Sequence, residues 1–397
     1  MGITGCMLVK NEEKILYNSL ESLSKFVDEI IVVDNGSEDD TVKIAKEFGC
    51  RVISSADSQL DEGRNLYLEE AKEDWIFVLD ADEYVDVVSG QKIRTAIAKI
   101  PDWIWYIYLP RFEYLGNGKW TAIRAPRLFR NKNCIRYNNF KVHASVTPSI
   151  VVAGGKCCNL YAPIHHYDIL LDNRAKEKRL PYIKRIQDEI IYNSDNKFIW
   201  TQYGHLGTEY TAIGNYEEAE KLFLYARSLS EFAFGYTTLY LAILYQLMGD
   251  YDKATYEAVK LVESHSSFME RALILLAQIS ILKGDKEAAV SYCSEAYELD
   301  YESPHLCINL ASLLEEAEPR KAIELLDRAV ELNPFLKDPF IYGNGSIPNM
   351  FSHQTSFLSS VENIFIHYQR CCLNLDRREE YRNYKAEEYR IIKRYNR

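Results

Sequence analysis

The stretch WIFVLDADEY, Trp75–Tyr84, decides both the predicted fold and the predicted chemistry of this chain. Its first five residues are apolar and read as a buried strand, and an acidic turn follows at once. Asp80 and Asp82 are one residue apart, so both carboxylates can point at one spot if the chain turns there. Two such carboxylates repel each other unless a divalent cation lies between them and an anionic ligand. The stretch therefore predicts a cation site at the end of a strand.

Three further apolar runs precede this strand, and helical patterns separate them. The runs are ITGCMLV at 3–9, EIIVVD at 29–34 and CRVIS at 50–54. The segments between them, NEEKILYNSLESLSKF, TVKIAKEFG and DEGRNLYLEEA, have helical spacing of apolar residues. Strands that alternate with helices predict βαβ units and a parallel sheet, whose ligands gather beyond the carboxyl ends of the strands. Asp34 lies at one such end, and Asp80 and Asp82 lie at another.

Charge is unevenly distributed along the chain, which has 397 residues and a net charge of −11. Residues 1–90 contain 8 lysines and arginines against 21 acidic residues, whereas residues 91–170 contain 12 against 3. The basic segment reads as antiparallel strands, WIWYIYLPRFEYL, KWTAIRAPRLFR and CIRYNNFKVHASV, so it predicts a surface that faces an anion. Nucleic acid is a less suitable partner, because these arginines lie in strand-like sequence and not on a basic helix with interleaved aromatics.

A helical repeat follows the α/β segment. Alanines recur at 219, 254, 289 and 322, and Gly-Asn-Tyr or Gly-Asp turns precede three of them, at 214–216, 249–251 and 284–286. The period and the small residues are those of tetratricopeptide repeats, in which paired helices approach closely. We therefore expect an α/β domain at 1–170, a helical connector at 171–199, about four repeats at 200–335, and a linker with capping helices at 336–397.

The remaining composition excludes several classes of protein. No run of about eighteen apolar residues occurs, so no membrane span is predicted. The N-terminus becomes polar too soon for a signal peptide. The nine cysteines are odd in number and contain no CxxC pair, which favours reduced thiols and a cytoplasmic location.

Three segments in order, MLVKNEEKILYNSLESL, EIIVVDNGSEDDT and EGRNLYLEEAKEDWIFVLDADEY, resemble the N-terminal half of family-two glycosyltransferases with the GT-A fold. The resemblance covers residues 1–170. With its tetratricopeptide extension, the chain is similar to a bacterial subgroup that includes peptide S- and O-glycosyltransferases acting on bacteriocins. Relatives of that subgroup decorate lipopolysaccharide cores or surface proteins.

The resemblance implies roles for individual residues. Asp34 would accept a hydrogen bond from uracil or ribose, Arg64 would reach the diphosphate, and Asp80 would contact ribose or metal. Asp82 would bind Mn²⁺ or Mg²⁺ directly, with His166 of the segment APIHHYD as a further ligand. The remaining nucleotide-sugar contacts that it implies are Leu8, Val9, Asn11, Glu12 and Ala81. Taken alone, Asp34 also suits a turn cap, and Arg64 also suits a surface ion pair.

The residue that activates the acceptor is harder to identify. The family has RLFR followed by His-Glu, and this chain has RLFR and His143 but Ala144 where the carboxylate is expected. An inverting transferase needs a general base near the acceptor, and Glu113 and His143 are the candidates. The basic residues on the acceptor or diphosphate side are Arg111, Arg124, Arg127 and Arg130.

These observations lead to three hypotheses. The first is a metal-dependent, inverting transferase that moves glucose or N-acetylglucosamine from a UDP-sugar to a peptide or protein side chain (Ser, Thr or Cys) held by the repeats. The second keeps the donor but has a saccharide or glycolipid acceptor. The third is an inactive binding scaffold, for which Ala144 is the one hint. A homodimer is compatible with each of them.

Overall fold

The structure, a computed structural model, describes residues 1–55, 60–116, 118–137, 145–167, 179–342 and 363–395. These residues form two compact units. The first consists of residues 1–113 and 123–168, and the second consists of residues 114–122 and 169–397. None of the helices among the described residues is long and apolar enough to cross a membrane.

The strands form one mixed sheet in the order β3-β2-β1-β4-β7-β6-β9-β5, with β8 paired to β6. Their bounds are β1 Ile3–Val9, β2 Glu29–Asp34, β3 Arg51–Ser54, β4 Trp75–Val78, β5 Glu83–Val85, β6 Ile104–Gly116, β7 Lys119–Arg130, β8 Lys156–Asn159 and β9 Ile164–His166. Strands β1 to β4 pair in parallel, as the sequence predicts, and β7 joins β4 in the antiparallel sense. The predicted α/β fold with a parallel sheet is thus confirmed.

Helices connect these strands and then make up the rest of the chain. Those of the first unit are α1 Leu16–Ser24, α2 Thr41–Glu47, α3 Leu60–Glu70, α4 Val87–Ile97 and α5 Thr147–Val152. Those of the second are α6 Arg179–Tyr192, α7 Ile199–Ala212, α8 Tyr216–Leu229, α9 Phe234–Leu247, α10 Tyr251–Glu263, α11 Met269–Leu282, α12 Lys286–Leu299, α13 Pro304–Leu314, α14 Pro319–Leu332, α15 Ile364–Asn374 and α16 Arg378–Tyr395. Short 3₁₀ turns lie at Glu231–Ala233, Pro334–Lys337 and Pro339–Tyr342.

Helices cover both faces of the parallel sheet. Consecutive residues of β1 point to opposite faces, so each face can be followed from its own residues. On one face, Cys6 joins an apolar cluster with Tyr67 and Leu68 of α3. On the other, Gly5 allows α1 to approach so closely that an added Cβ would lie 2.7 Å from Leu23. Burial on both faces explains why the strands are continuous apolar runs.

The parallel register brings three chain segments to the same edge of the sheet. Val9 pairs with Asp34 and Asp34 pairs with Ser54, while β4 runs beside β1. The residues after β1, β2 and β4 therefore emerge together.

The last of the three stretches of the basic segment, residues 134–146, was predicted to be a strand. Its described part differs from this expectation, because residues 131–137 form turns and irregular backbone.

The repeat region of the second unit, residues 199–332, contains four helix pairs, α7/α8, α9/α10, α11/α12 and α13/α14. The repeated alanines Ala219, Ala254, Ala289 and Ala322 are all fully buried. Gly214, Gly249 and Gly284 have φ values of 81°, 77° and 79°, a backbone conformation that favours glycine at the turn within each of three pairs. The predicted helical repeat is confirmed.

Candidate active site

The acidic turn after β4 lies beside two other strands of the first unit. Asp80 and Asp82 follow β4, and Glu83 begins β5, where it pairs with His166 of β9. On the other side of β9, Glu113 of β6 also pairs with His166. Because paired residues of neighbouring strands point to the same face, this register gathers charged side chains from distant parts of the sequence.

Six charged side chains at this edge of the sheet form a chain of alternating charge. Arg64 Nη2 donates to Asp80 Oδ1 at 3.0 Å, and Arg127 Nη2 bonds both Asp80 Oδ2 and Glu83 Oε1. Arg111 Nη1 then donates to Glu83 Oε1 at 3.1 Å, and Arg111 Nη2 bonds Glu113 Oε1. We call Arg64, Asp80, Arg127, Glu83, Arg111 and Glu113 the charge chain. It neutralises buried groups pairwise, which is what their desolvation requires.

Glu83 is the central member of the charge chain, and sequence reasoning did not single it out. Its side chain is fully buried, it receives Arg111 and Arg127, and its Oε2 accepts the backbone N–H of Asp80 at 3.0 Å. A carboxylate with no exposure needs this number of partners. The motif DADE already contained the signal, because a third acidic residue in an otherwise apolar context requires cationic partners.

Asp80 is held ionised by its two arginines. Burial alone would raise the pKa of the Asp80 carboxyl, but Arg127 and Arg64 outweigh burial and hold that pKa well below its usual range. Arg64 also lies over the ring of Tyr137, at 5.7 Å from the ring centre, and the Tyr137 hydroxyl accepts a hydrogen bond from Tyr67. The guanidinium of Arg64 is thus fixed in direction before any ligand arrives.

Asp82 and His166 face each other across the same edge. Asp82 Oδ2 lies 3.6 Å from His166 Nε2, and the Asp82 carbonyl accepts the backbone N–H of Tyr167 at 3.2 Å. Burial lowers the pKa of His166, but the neighbouring Asp82 carboxylate outweighs burial and raises it. Among the described residues, no group of three or more His, Cys, Asp or Glu side chains is arranged to hold a metal.

The neighbouring histidine, His165, points to a different partner. His165 Nε2 lies 3.7 Å from Asp86 Oδ2, and Asp86 caps α4 by accepting the N–H of Ser89 at 2.9 Å. Burial lowers the pKa of His165, and Asp86 only partly opposes this effect. His165 therefore belongs to a helix cap, while His166 faces Asp82.

The loops after β1 and β2 are tied together by side chains. Asp34 accepts the N–H of Ser37 at 3.1 Å, while Asn11, with φ of 57°, donates its backbone N–H to Ser37 Oγ at 2.9 Å. Asn11 Oδ1 in turn accepts the N–H of Glu38, and Glu12 donates its N–H to Thr41 Oγ1. Asp34 thus serves as a turn cap, and the loop around it is ordered by these bonds.

The other predicted nucleotide contacts lie nearby but present little side chain. Val9 is buried at the end of β1, next to the partly buried Leu8. Ala81 is buried as well, and its carbonyl accepts the hydroxyl of Ser19. These residues shape the strand ends through their backbone.

Two predicted arginines lie outside the charge chain. Arg130 pairs with Trp75 at the opposite end of β4, lies over the Trp75 ring, and donates from Nε to the carbonyl of Ile104 at 2.9 Å. Arg124, three positions before Arg127 in β7, is exposed. The structure therefore brings Arg111 and Arg127, but neither Arg124 nor Arg130, into the cluster.

Of the two candidate general bases, Glu113 and His143, the structure describes only Glu113. Glu113 is 3% exposed, and its Oε2 has no hydrogen-bond partner among the described residues, although Oε1 is held by Arg111. His143 and Ala144 lie outside the described residues. Glu113 is therefore the candidate whose surroundings the structure defines.

Two family models match this chain. Residues 6–142 match the model of glycosyl transferase family 2, and residues 270–303 match a tetratricopeptide repeat. The first match contains Asp34, Arg64, Asp80, Asp82 and Glu113 but ends before β9. The second lies in α11 and α12.

Curated relatives share parts of the chain. A TPR repeat-containing protein of Synechococcus elongatus is 35% identical over 134 residues, 33% of this chain. An uncharacterized glycosyltransferase of Rickettsia typhi is 37% identical over 212 residues, 53% of this chain, and a glucosyl-3-phosphoglycerate synthase of Petrotoga mobilis is 40% identical over 88 residues, 20% of this chain. The chain spans 32%, 60% and 26% of the lengths of these three relatives.

Proposed function

We propose that this chain, in which residues 6–142 match the model of glycosyl transferase family 2 and residues 270–303 match a tetratricopeptide repeat, transfers a sugar from a nucleoside diphosphate donor to an acceptor that the repeats bind. The observation that carries the proposal is the charge chain beside the Asp82–His166 pair, at the carboxyl edge of the parallel strands. A diphosphate needs positively charged partners, and we assign this role to Arg64 and Arg127, the two guanidinium groups that converge on Asp80.

We propose UDP-glucose or UDP-N-acetylglucosamine as the donor. Asp34 retains acceptor capacity beyond its bond to Ser37, so it can receive an N–H of uracil or a hydroxyl of ribose. The tie between Asn11 and Ser37 would order this loop around the base. A glucosyl donor is supported by the name of the Petrotoga relative, glucosyl-3-phosphoglycerate synthase.

The residues present fit a Mn²⁺ or Mg²⁺ ion that takes only part of its coordination from protein. Carboxylate and imidazole are suitable ligands for Mn²⁺, and both cations complete their shells with phosphate oxygens and water. Asp82 and His166 would hold the ion, with Asp80 at its border, because Asp80 is already paired with two arginines. When bound, the cation would neutralise the charge that develops on the leaving diphosphate.

The chain's own residues would direct the transfer. A bond forms between the acceptor oxygen or sulfur and the anomeric carbon, while the bond from that carbon to the diphosphate oxygen breaks and UDP leaves with the electron pair. The proton of the acceptor must pass to a base, and we assign this role to Glu113, whose Oε2 is unpaired among the described residues. Arg111 would keep Glu113 oriented through its bond to Oε1.

For the acceptor, we propose a peptide or protein side chain, because tetratricopeptide arrays commonly bind extended segments. The second candidate is a phosphorylated saccharide or other small anionic acceptor, which the name of the Petrotoga relative favours. A thiol acceptor would need less help from a base than an alcohol would, since thiols ionise more readily.

The proposal can be tested with the purified full chain. Release of UDP from UDP-glucose and UDP-N-acetylglucosamine should require Mn²⁺ or Mg²⁺ and should stop when a chelator is added. Peptides with Ser, Thr or Cys, and 3-phosphoglycerate or sugar phosphates, are then offered as acceptors, and products are identified by mass spectrometry. Absence of donor hydrolysis, together with absence of a thermal shift on adding UDP and Mn²⁺, would leave the inactive scaffold as the remaining hypothesis.

A further inference from the structure

Helix α16, at Arg378–Tyr395, has two faces of different character. Its inner face is fully used within the second unit. Tyr384 stacks on Tyr368 with ring centres 4.4 Å apart, Glu388 accepts the side-chain amide of Asn363 at 2.7 Å, and Ile391 is buried. These contacts account for Tyr384, Glu388 and Ile391 of the helix.

The outer face carries a stripe of exposed residues with helical spacing. Its members recur every three or four residues, so they lie in one line along the helix. They are Arg382, Lys385, Ala386, Tyr389, Arg390 and Lys393. Lys393 lies over the ring of Tyr389, 5.7 Å from its centre, and Tyr389 is 64% exposed. We call these six residues the basic stripe.

The charged residues of the basic stripe are all basic. Glu379, three residues before Arg382 on the same line, is exposed and acidic, whereas the two acidic residues farther along the helix, Glu387 and Glu388, are partly buried. Helix α14 shows the usual alternative, with both signs exposed: Arg320, Lys321, Glu324, Asp327 and Glu331. Since the whole chain has a net charge of −11, its average composition does not explain this excess of basic residues on one face.

We propose that the basic stripe binds a membrane surface rich in anionic lipid headgroups. Basic helices with exposed apolar and aromatic residues lie on such surfaces, where each Lys or Arg near the surface strengthens binding about fivefold. Tyr389 and Ile392, 38% exposed, supply the aromatic and aliphatic contacts that an interface favours and that a purely electrostatic ligand would not need. The proposal does not depend on glycosyl transfer, since it concerns a helix distant in sequence from the charge chain.

The test is sedimentation of the full chain with vesicles. Vesicles of phosphatidylcholine with about 30 mol % phosphatidylglycerol should pull down the protein at about 0.1 M salt, and vesicles of phosphatidylcholine alone should not. Raising the salt to about 1 M should release most of the protein, because the Debye length falls from about 10 Å to about 3 Å. Equal binding to both kinds of vesicle would overturn the proposal.

Variants test whether binding to vesicles depends on the basic stripe or on the total number of positive charges in the protein. Changing Arg382, Lys385, Arg390 and Lys393 together to Gln should weaken binding to anionic vesicles about 100-fold or more. The matched control changes four exposed lysines of the first unit, Lys43, Lys46, Lys92 and Lys99, to Gln and should retain binding. Circular dichroism and thermal unfolding check that both variants are folded. Equal loss in both variants, or tighter binding of a single-stranded oligonucleotide than of anionic vesicles at the same salt, would refute a lipid surface as the partner.

Discussion

The two compact units are stabilised by opposite means. In the first unit, the six residues of the charge chain are charged, largely buried and drawn from positions between 64 and 127 of the chain. In the second, small apolar residues recur at nearly constant spacing, and each helix pair packs against its neighbours. Each charge of the charge chain is neutralised by its neighbours. Removing one side chain therefore leaves a buried partner of opposite charge without compensation. In the second unit a change should affect one interface.

The largest expected effect is on turnover, from Asp82→Asn. We expect donor hydrolysis and transfer to fall about 10³-fold, because neutralising the leaving group is worth several kcal/mol. The matched control, Asp252→Asn, alters a side chain in the repeats that is 97% exposed and should leave turnover unchanged. Full activity of the Asp82 variant would remove this residue from the mechanism.

The next effect is on stability, from Glu83→Gln. The variant leaves Arg111 and Arg127 without one buried partner, so the free energy of unfolding of the first unit should fall by about 3–5 kcal/mol. Denaturant unfolding measures this loss. Glu324→Gln in α14, where the side chain is exposed, is the control and should change stability little. A loss below about 1 kcal/mol from Glu83→Gln, measured in the same way, would be as small as that of an ordinary surface substitution. It would mean that the charge chain does not support the fold.

A smaller loss is expected from Ala289→Leu in α12. Ala289 is fully buried, and added side-chain volume should overpack the helix pair at a cost of about 1–3 kcal/mol. Ala288→Leu, at a neighbouring half-exposed position, should be tolerated. UDP binding should persist in both variants, and loss of UDP binding in the Ala289 variant would contradict the local character of the repeats.

The smallest effect allows the two units to be compared directly. Gly49 after α2 and Gly249 before α10 have φ of 74° and 77°, and an added Cβ would meet nothing within 4 Å at either position. Alanine at either position should therefore cost only the strain of a left-handed backbone, about 1 kcal/mol. Calorimetry of the two variants would show whether the loss falls on separate transitions. Identical changes of one shared transition would indicate that the units unfold together.

The sequence predicted the parallel sheet and the repeats because both leave local, periodic signals. Apolar runs between turn residues gave β1 to β4, and the 35-residue spacing of alanines and glycines gave the helix pairs. His166 was named as a metal ligand from the family resemblance and not from any periodic signal. Its Nε2 lies 3.6 Å from Asp82 Oδ2, and its role as a ligand stays a prediction.

What the sequence could not supply is the register between strands far apart in the chain. Arg111 and Arg127 were grouped with Arg124 and Arg130 because all four lie in one basic segment. The neighbours of a strand side chain depend on the face to which it points and on its position along the partner strand. Composition does not encode either of these. The pairing of Arg130 with Trp75 places it at the opposite end of β4 from Asp80.

The tip of the β6–β7 segment has a practical consequence for anyone dividing this protein into fragments. Gly118 donates its N–H to the carbonyl of Ile341, and the hydroxyl of Tyr114 donates to Asn333, so residues 114–122 are part of the second unit. A gene truncated after codon 168 would encode the buried Tyr114 but omit Asn333 and Phe335, which its hydroxyl and ring contact. Such a recombinant fragment should be prone to aggregation, and the full-length chain is the sound choice for expression and crystallisation.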